Sequence, residues 1–133
     1  MLLITKRFRF EAAHFLPFHG GKCKNLHGHS YVLEVTVAGE VKSTDSGSAQ
    51  SGMVMDFSVL KSIVDENVIS VFDHSNLNRE DFYNPTAELL VQRIASVLQE
   101  KLSKDIYLYK LLLHETEDSW VEWCNFEQFP IPS

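Results

Sequence analysis

Apolar and polar side chains alternate along two segments in the first part of the chain. In residues 4–14 the even positions are apolar except for Lys6 and the final histidine, and most odd positions are polar or charged. Residues 27–38 alternate in a similar way. Because successive side chains of a strand point to opposite faces, the pattern predicts two half-buried β-strands. Residues 39–52, rich in Ser, Thr, Gly and Asp, predict a flexible surface loop.

Apolar residues at helical spacing follow in two later segments. The first segment begins after Asp56, which suits the N-cap position, and its apolar face extends to about Val68. The second begins where the chain reads Asn-Pro-Thr, so that either Asn84 or Thr86 is the expected N-cap, and it ends near Lys101. The sequence therefore predicts two amphipathic helices in the middle of the chain.

Two more strands are predicted after the helices. Residues 106–115 are mostly apolar, residues 120–126 suit a return strand, and Glu117 and Asp118 mark the turn of a hairpin. The order ββααββ predicts an α+β fold, in which a four-stranded antiparallel sheet carries both helices on one face. A length of 133 residues suits one domain spanning residues 1–133.

Composition and charge narrow the possible partners. The formal net charge is −6, which argues against nucleic acid or an anionic membrane as the main partner, whereas a small anionic substrate is compatible with it. The first residues contain too short an apolar run for a signal peptide, and no stretch approaches the roughly 20 apolar residues of a membrane span. With only two cysteines, we expect a cytoplasmic protein with free thiols.

Three histidines fall on the apolar face at the ends of the first two predicted strands. His14 leaves the first strand on its apolar parity, and His27 and His29 enter the second on the same face. If the strands are antiparallel, the three imidazoles meet at one end of the sheet. Three neutral imidazoles with an open fourth position are typical of a catalytic zinc site. The alternative is that they are ordinary loop histidines.

The cysteine just before the histidine pair has two possible roles. Cys23 lies between Lys22 and Lys24, and a nearby cation favours the thiolate that catalysis requires. The alternative is a fourth zinc ligand in an inert structural site, and the spacing leaves both roles open. Cys124 lies within the apolar last strand and is expected to be a small core residue.

Two carboxylates complete the candidate chemistry. Asp73 adjoins His74 in the irregular segment after the first helix, where a carboxylate can orient an acid–base histidine. The alternative is an exposed loop histidine. Glu115 ends an apolar strand and can accept the paired N–H donors of a guanine-like or pterin ring, or it is a solvated turn residue. His19 and His114 are left unassigned.

Taken together, the motifs resemble those of the 6-pyruvoyl-tetrahydropterin synthase family, whose members share the tunnelling fold (T-fold). The short Cys-x-x-x-His-Gly-His spacing is most similar to the bacterial branch, the 6-carboxy-5,6,7,8-tetrahydropterin synthases of queuosine biosynthesis. The resemblance runs from about Phe8 to Trp123. It is carried by residues 10–14 (Phe-Glu-Ala-Ala-His), 23–29 (Cys-Lys-Asn-Leu-His-Gly-His), 52–57 (Gly-Met-Val-Met-Asp-Phe), 73–78 (Asp-His-Ser-Asn-Leu-Asn), 84–88 (Asn-Pro-Thr-Ala-Glu) and 114–116 (His-Glu-Thr).

The resemblance implies a role for each candidate residue and a homo-oligomer, a trimer or a hexamer, with sites at subunit interfaces. The implied metal is Zn²⁺, and the implied substrate is a pterin triphosphate. The implied roles are Zn²⁺ ligands for His14, His27 and His29, a catalytic base for Cys23, an acid–base unit for Asp73 and His74, a pterin anchor for Glu115, and pocket lining for Thr86 and Glu88.

The implied reaction converts 7,8-dihydroneopterin triphosphate to 6-carboxy-5,6,7,8-tetrahydropterin, with release of triphosphate and acetaldehyde. One alternative is 6-pyruvoyl-tetrahydropterin synthase, which eliminates triphosphate and retains the side-chain carbons. Another is a non-catalytic zinc- or pterin-binding module. A third, a Cys-His-Asp hydrolase, is less compatible, because the orienting carboxylate directly adjoins its histidine in sequence.

Overall fold

Two long antiparallel strands form the centre of the sheet. The computed structural model describes residues 1–130, and in it strand β1 (Leu2–His14) pairs with strand β2 (His27–Gly39) along their whole length. Leu2 lies opposite Gly39 at one end, and His14 lies opposite His27 at the other. The predicted alternation is confirmed, since Phe8, Phe10 and Ala12 are buried and the intervening odd positions are exposed.

Three further strands complete a sheet in the order β3-β1-β2-β4-β5. Strand β4 (Tyr107–Thr116) runs antiparallel to β2, and β5 (Ser119–Cys124) returns antiparallel to β4. Strand β3 (Ser75–Asn76) is parallel to the end of β1. The predicted α+β fold is confirmed, but the sheet has a fifth strand, because a two-residue strand shows no alternation from which to predict it.

The first predicted helix is confirmed, although it is not α-helical throughout. Helix α1 (Phe57–Val64) is capped by Asp56, whose carboxylate accepts a hydrogen bond from the N–H of Ser58. The helix continues as a π-helical turn (Asp65–Ile69) and ends as the short α2 (Ser70–Phe72). The chain therefore leaves this helix directly before Asp73.

The second long helix, α3 (Ala87–Lys101), begins at the Asn-Pro-Thr motif. Thr86 is its N-cap, since its hydroxyl oxygen accepts a hydrogen bond from the N–H of Leu89. Asn84, the alternative cap, therefore lies outside the helix. Short 3₁₀ turns are present at Lys22–Lys24, between β1 and β2, and at Thr44–Ser46, within the long loop after β2.

The helices and one face of the sheet enclose a single hydrophobic core. No helix within residues 1–130 is long and apolar enough to cross a membrane. The core combines alternate positions of the central strands with the buried stripes of α1 and α3; its most completely buried aliphatic members include Leu33, Leu60, Leu90, Ile94, Leu98, Leu111 and Leu113.

Candidate functional site

Three histidine rings meet at the end of β1 and the start of β2. His14 lies directly opposite His27, and His29 follows two residues later on the same face. The ring centroids are 4.6 to 5.0 Å apart, and one nitrogen atom from each ring lies within 4.8 Å of the others. The predicted convergence of the three imidazoles is confirmed.

Backbone carbonyl groups fix the orientation of two of these rings. The Nδ1 atom of His14 lies 2.8 Å from the carbonyl oxygen of Pro85, and that of His27 lies 2.7 Å from the carbonyl oxygen of Asn25. Because a carbonyl oxygen only accepts hydrogen bonds, both Nδ1 atoms carry the hydrogen. In a neutral ring this leaves the Nε2 lone pair available, which is the usual arrangement for a histidine that binds a metal ion.

Two Nε2 atoms of the cluster make no hydrogen bond within the described chain. Within residues 1–130, the Nε2 atoms of His14 and His29 are buried and have no hydrogen-bonding partner. Burial lowers the pKa of His29, Glu115 opposes this shift, and the neighbouring His14 and His27 add to it. The neutral form is the one that binds metal, and unpartnered buried nitrogens are costly without a ligand. The three imidazoles could therefore hold a metal ion.

Strand β4 brings a carboxylate to the same place. The carboxylate oxygens of Glu115 lie 3.9 Å from Nε2 of His14 and 3.7 Å from Nε2 of His29. Burial, followed by the charge of Glu115, raises the pKa of Tyr31, whose buried hydroxyl has no hydrogen-bonding partner within the described chain. Glu115 was predicted at the end of its strand, but its position beside the imidazoles is a finding of the structure.

Asp73 and His74 form a paired unit anchored on β1. One carboxylate oxygen of Asp73 accepts a hydrogen bond of 2.8 Å from the N–H of Glu11, and the other lies 3.0 Å from Nδ1 of His74. The Glu11 N–H is the main reason that the pKa of Asp73 is lowered, and the hydrogen bond with His74 is the next. Asp73 therefore orients the imidazole while it remains ionised.

The backbone at His74 is in the left-handed region, with φ of 55°. Its N–H donates to the carbonyl oxygen of Glu11, so β1 holds both residues of the pair. A histidine in this conformation costs on the order of 1 kcal/mol, and such strain concentrates at functional sites. The side chain of His74 is 80% exposed, which leaves its Nε2 atom accessible to a substrate.

An open cleft lies beside His74, the candidate acid–base histidine. It has a volume of about 440 Å³, and both His29 and His74 line it, together with residues at the adjoining ends of β1, β2 and β3. A molecule bound in this cleft would lie beside the imidazole of His74.

Cys23 is a partly buried free thiol on the 3₁₀ turn between β1 and β2. Within residues 1–130 it is not part of the cluster of possible metal ligands, which consists of the three histidines. Its carbonyl oxygen accepts a hydrogen bond of 2.8 Å from the N–H of Leu16. Cys124 is also free and partly buried rather than fully in the core, and burial raises its pKa.

Thr86 and Glu88, which the resemblance implies as pocket residues, lie at the start of α3. Thr86 caps α3, and Glu88 is exposed in the first turn of that helix. Among the described residues, neither they nor Cys23 line the cleft that holds His29 and His74. Their contacts with a substrate stay a prediction.

Backbone atoms supply the functional contacts that sequence reasoning missed. The carbonyl groups of Asn25 and Pro85 orient the imidazoles of His27 and His14, and both residues lie within segments that carry the family resemblance. A side-chain pattern gives no information on where a carbonyl oxygen points. The sequence pattern likewise indicates no role for the side chain of Asn78, which lies within residues 73–78.

Known proteins are similar to this chain along most of its length. A profile of the family described as 6-pyruvoyl tetrahydropterin synthase matches residues 3–125. The chain is 47% identical over 102 residues to a 6-carboxy-5,6,7,8-tetrahydropterin synthase from Synechocystis, covering 75% of this chain and 77% of that one. It is 38% identical to a dihydroneopterin monophosphate aldolase from Pyrococcus furiosus, covering 90% and 94%.

A solved structure gives the same result for the fold. The 6-pyruvoyl tetrahydropterin synthase of Caenorhabditis elegans has a TM-score of 0.78 and 28% identity, covering 93% of this chain and 95% of that one. These similarities confirm the resemblance identified from the motifs, and with it the expectation of an enzyme of the lyase type. The chain belongs to the 6-pyruvoyl tetrahydropterin synthase family.

Proposed function

We propose that this chain is a zinc-dependent lyase that converts 7,8-dihydroneopterin triphosphate and water to 6-carboxy-5,6,7,8-tetrahydropterin, triphosphate and acetaldehyde. The observation that carries the proposal is the cluster of His14, His27 and His29, in which two buried Nε2 atoms have no hydrogen-bonding partner in the described chain. Three imidazoles leave an open coordination position, as catalytic zinc sites do. The printed name of the Synechocystis relative supports the choice of reaction.

The residues of the chain would divide the chemistry between them. Bound zinc supplies a Lewis acid that lowers the pKa of a substrate hydroxyl group. Cys23 removes a proton from the substrate side chain as a thiolate, and His74, oriented by Asp73, carries protons at the open cleft. Glu115, beside the imidazoles, accepts the paired N–H donors of the pterin ring.

The triphosphate requires positive charge in a chain whose net charge is −6. Lys22 and Lys24 are exposed on either side of Cys23 and are the candidates nearest to it in sequence. A local pair of cations can bind an anion despite an acidic average, because solvent ions screen charges beyond about 10 Å.

A product assay tests the proposal directly. The purified protein, loaded with Zn²⁺, is incubated with 7,8-dihydroneopterin triphosphate, and the products are identified by mass spectrometry. The proposal predicts the 6-carboxy product together with acetaldehyde. A 6-pyruvoyl product without acetaldehyde would instead support the activity named for the Caenorhabditis elegans structure.

A second arm of the assay uses 7,8-dihydroneopterin monophosphate as the substrate, because the Pyrococcus relative carries that substrate in its name. Turnover of the monophosphate alone would replace the proposed reaction with an aldolase. Intact zinc without turnover of either compound would favour a non-catalytic zinc- or pterin-binding module.

The wider assignment belongs to the same proposal. We place the reaction in the cytoplasmic biosynthesis of queuosine and expect a homo-oligomer, a trimer or a hexamer. The openness of the cleft around His29 and His74 supports an assembly, because a neighbouring subunit would enclose a substrate that one chain leaves exposed to water. Sedimentation equilibrium of the purified protein measures the oligomeric state.

A further inference from the structure

The side chain of Asn78 connects two loops that are distant in sequence. Its Oδ1 atom accepts a hydrogen bond of 2.8 Å from the N–H of Phe15, and its Nδ2 group donates one of 2.9 Å to the carbonyl oxygen of the same residue. The Nδ2 group also donates to the carbonyl oxygen of Tyr83, at 3.2 Å. One amide side chain therefore uses both of its polar atoms to hold backbone groups.

The backbone of Phe15, which Asn78 holds, lies between His14 and the residue that contacts Cys23. Phe15 directly follows His14, a member of the metal-binding cluster. The next residue, Leu16, donates its N–H to the carbonyl oxygen of Cys23 at 2.8 Å. A displacement of Phe15 would therefore be transmitted in one direction to an imidazole and in the other to the turn that carries the thiol.

The backbone of Tyr83, which Asn78 also holds, is close in sequence to a second residue that contacts the histidine cluster. Two residues after Tyr83, the carbonyl oxygen of Pro85 accepts the hydrogen bond from Nδ1 of His14. Asn78 itself is fixed from the other side, because the N–H of the fully buried Leu77 donates to the carbonyl oxygen of Ala13 at 2.8 Å. The half-buried amide is thus anchored beside the core residue Leu77 while it holds the backbone at Phe15 and Tyr83.

We propose that Asn78 is a positioning residue that sets the distance between the thiol of Cys23 and the imidazole cluster. The inference rests on the proposed function, in which Cys23 is the catalytic base. The simpler alternative is that Asn78 stabilises two loops without any effect on chemistry. A positioning role predicts that the reactivity of Cys23 changes when Asn78 is replaced, whereas a purely stabilising role predicts that only the stability changes.

The test compares two variants with a matched control. Asn78→Ala removes every hydrogen bond, whereas Asn78→Asp keeps the acceptor for Phe15 and loses both donated bonds. The control is Asn67→Ala, because Asn67 is also half-buried and donates one side-chain hydrogen bond of 2.8 Å, to the carbonyl oxygen of Ile63 in α1. All proteins also carry Cys124→Ser, so that Cys23 is the one thiol present.

Three quantities are measured on the zinc-loaded proteins. These are the alkylation rate of Cys23 by iodoacetamide, the zinc content by elemental analysis, and kcat and KM with 7,8-dihydroneopterin triphosphate. We expect Asn78→Ala to keep its zinc and to alkylate faster, because the turn that carries the thiol is held less firmly. It should lose about 100-fold in kcat, since a misplacement near 1 Å can have an effect of that size. Asn78→Asp should show a smaller change in the same direction.

The control separates positioning from stability. Asn67→Ala should also lower the thermal midpoint, because it loses a side-chain hydrogen bond to a backbone carbonyl group, and should leave both the alkylation rate and kcat within about 2-fold of the parent protein. The proposal is overturned if Asn78→Asp behaves like this control, or if zinc is lost while the alkylation rate is unchanged. If Asn78→Ala does not fold, Asn78→Asp carries the comparison.

Different results would contradict the proposed function and the positioning role of Asn78. If the parent protein shows no turnover, the proposed function fails, but the alkylation rates still report whether Asn78 orders the segment of Cys23. If the parent is active and the alkylation rate of Asn78→Asp equals that of the parent, the positioning role fails and the proposed function stands.

Discussion

The imidazole of His14 donates a hydrogen bond through Nδ1 to the carbonyl oxygen of Pro85, a residue 71 positions later, at 2.8 Å. This bond links the end of β1 to the segment that begins α3. The buried Nε2 atom of His14 has no hydrogen-bonding partner in the described chain. The fold itself therefore orients this ring in the way that a metal-binding histidine requires.

The first prediction concerns the metal ligands. His27→Ala removes one of three imidazole nitrogens, and we expect the purified variant to lose both zinc and activity, because two nitrogens rarely retain zinc. The matched control is His19→Ala, since His19 is an exposed histidine outside the cluster. Elemental analysis should show about one zinc per chain in the control and about none in His27→Ala.

A chelation experiment complements the ligand variants. Exhaustive chelation should abolish turnover by the parent protein, and added Zn²⁺ should restore it. Full activity in a sample that elemental analysis finds free of metal would contradict the zinc mechanism, whatever the behaviour of His27→Ala.

The second prediction concerns the thiol. Cys23→Ala should keep its zinc and lose turnover by about 10²–10⁴-fold, because the variant lacks the proposed base while the three imidazoles stay intact. Cys124→Ala serves as the control, since this second thiol lies in β5, and it should retain nearly full activity. Loss of zinc from Cys23→Ala would instead identify Cys23 as a ligand and contradict the catalytic assignment.

Strand parity was sufficient to predict the histidine cluster. The pairing of β1 with β2 has no register shift, so strand parity alone is enough to put His14, His27 and His29 on one face. Both long helices could also be predicted, because Asp56 and Thr86 are strong N-cap residues.

The remaining features depend on tertiary contacts. Strand β3 has only two residues, and its pairing with Ala12 and Ala13 follows from the path of the chain after α2 rather than from a pattern. The position of Glu115 beside the imidazoles depends on how β4 aligns with β2. That alignment includes a register shift near Thr36 that no local sequence signal marks.

The third prediction uses the unusual backbone of His74. Both His74→Gly and His74→Ala remove the imidazole and should lose turnover by about 10²–10⁴-fold. At φ of 55°, however, glycine is free of the strain that a Cβ atom causes, so His74→Gly should be more stable than His74→Ala by about 1 kcal/mol. Thermal or denaturant unfolding of the two variants measures the difference.

Ser70 provides the reference for that comparison. It is exposed and has an ordinary helical backbone, with φ of −61°. At this position the order should reverse, with Ser70→Ala more stable than Ser70→Gly, since glycine is unfavourable in a helix. The same order at both sites would show that the backbone of His74 is not held in the left-handed region.

The fourth prediction concerns an ion pair on the sheet face opposite the helices. Nε2 of His114 donates a hydrogen bond of 2.9 Å to a carboxylate oxygen of Glu34, and Arg7 approaches the other oxygen at 3.3 Å. These contacts, led by the hydrogen bond from His114, hold the pKa of Glu34 below its usual value of 4.5. The ionised form of Glu34 is therefore favoured in the folded state.

The stabilisation that ionised Glu34 gives the folded state depends on pH. Because the folded-state pKa is depressed, the stabilisation is complete above the unfolded-state value near 4.5 and disappears as the pH falls through the lower folded-state value. Glu34→Gln should therefore destabilise the chain at pH 7 by on the order of 1 kcal/mol. The difference between variant and parent should shrink as the pH is lowered from about 5 to about 3.

Metal-free proteins are compared, so that acid release of zinc does not contribute to the result. Glu122→Gln is the matched control, because Glu122 pairs with Lys110 across 3.7 Å on an exposed part of the same sheet. Such a surface pair contributes little, so the stability of this variant should follow that of the parent at every pH. A constant difference between Glu34→Gln and the parent from pH 7 to about pH 3 would mean that the charge of Glu34 does not stabilise the sheet.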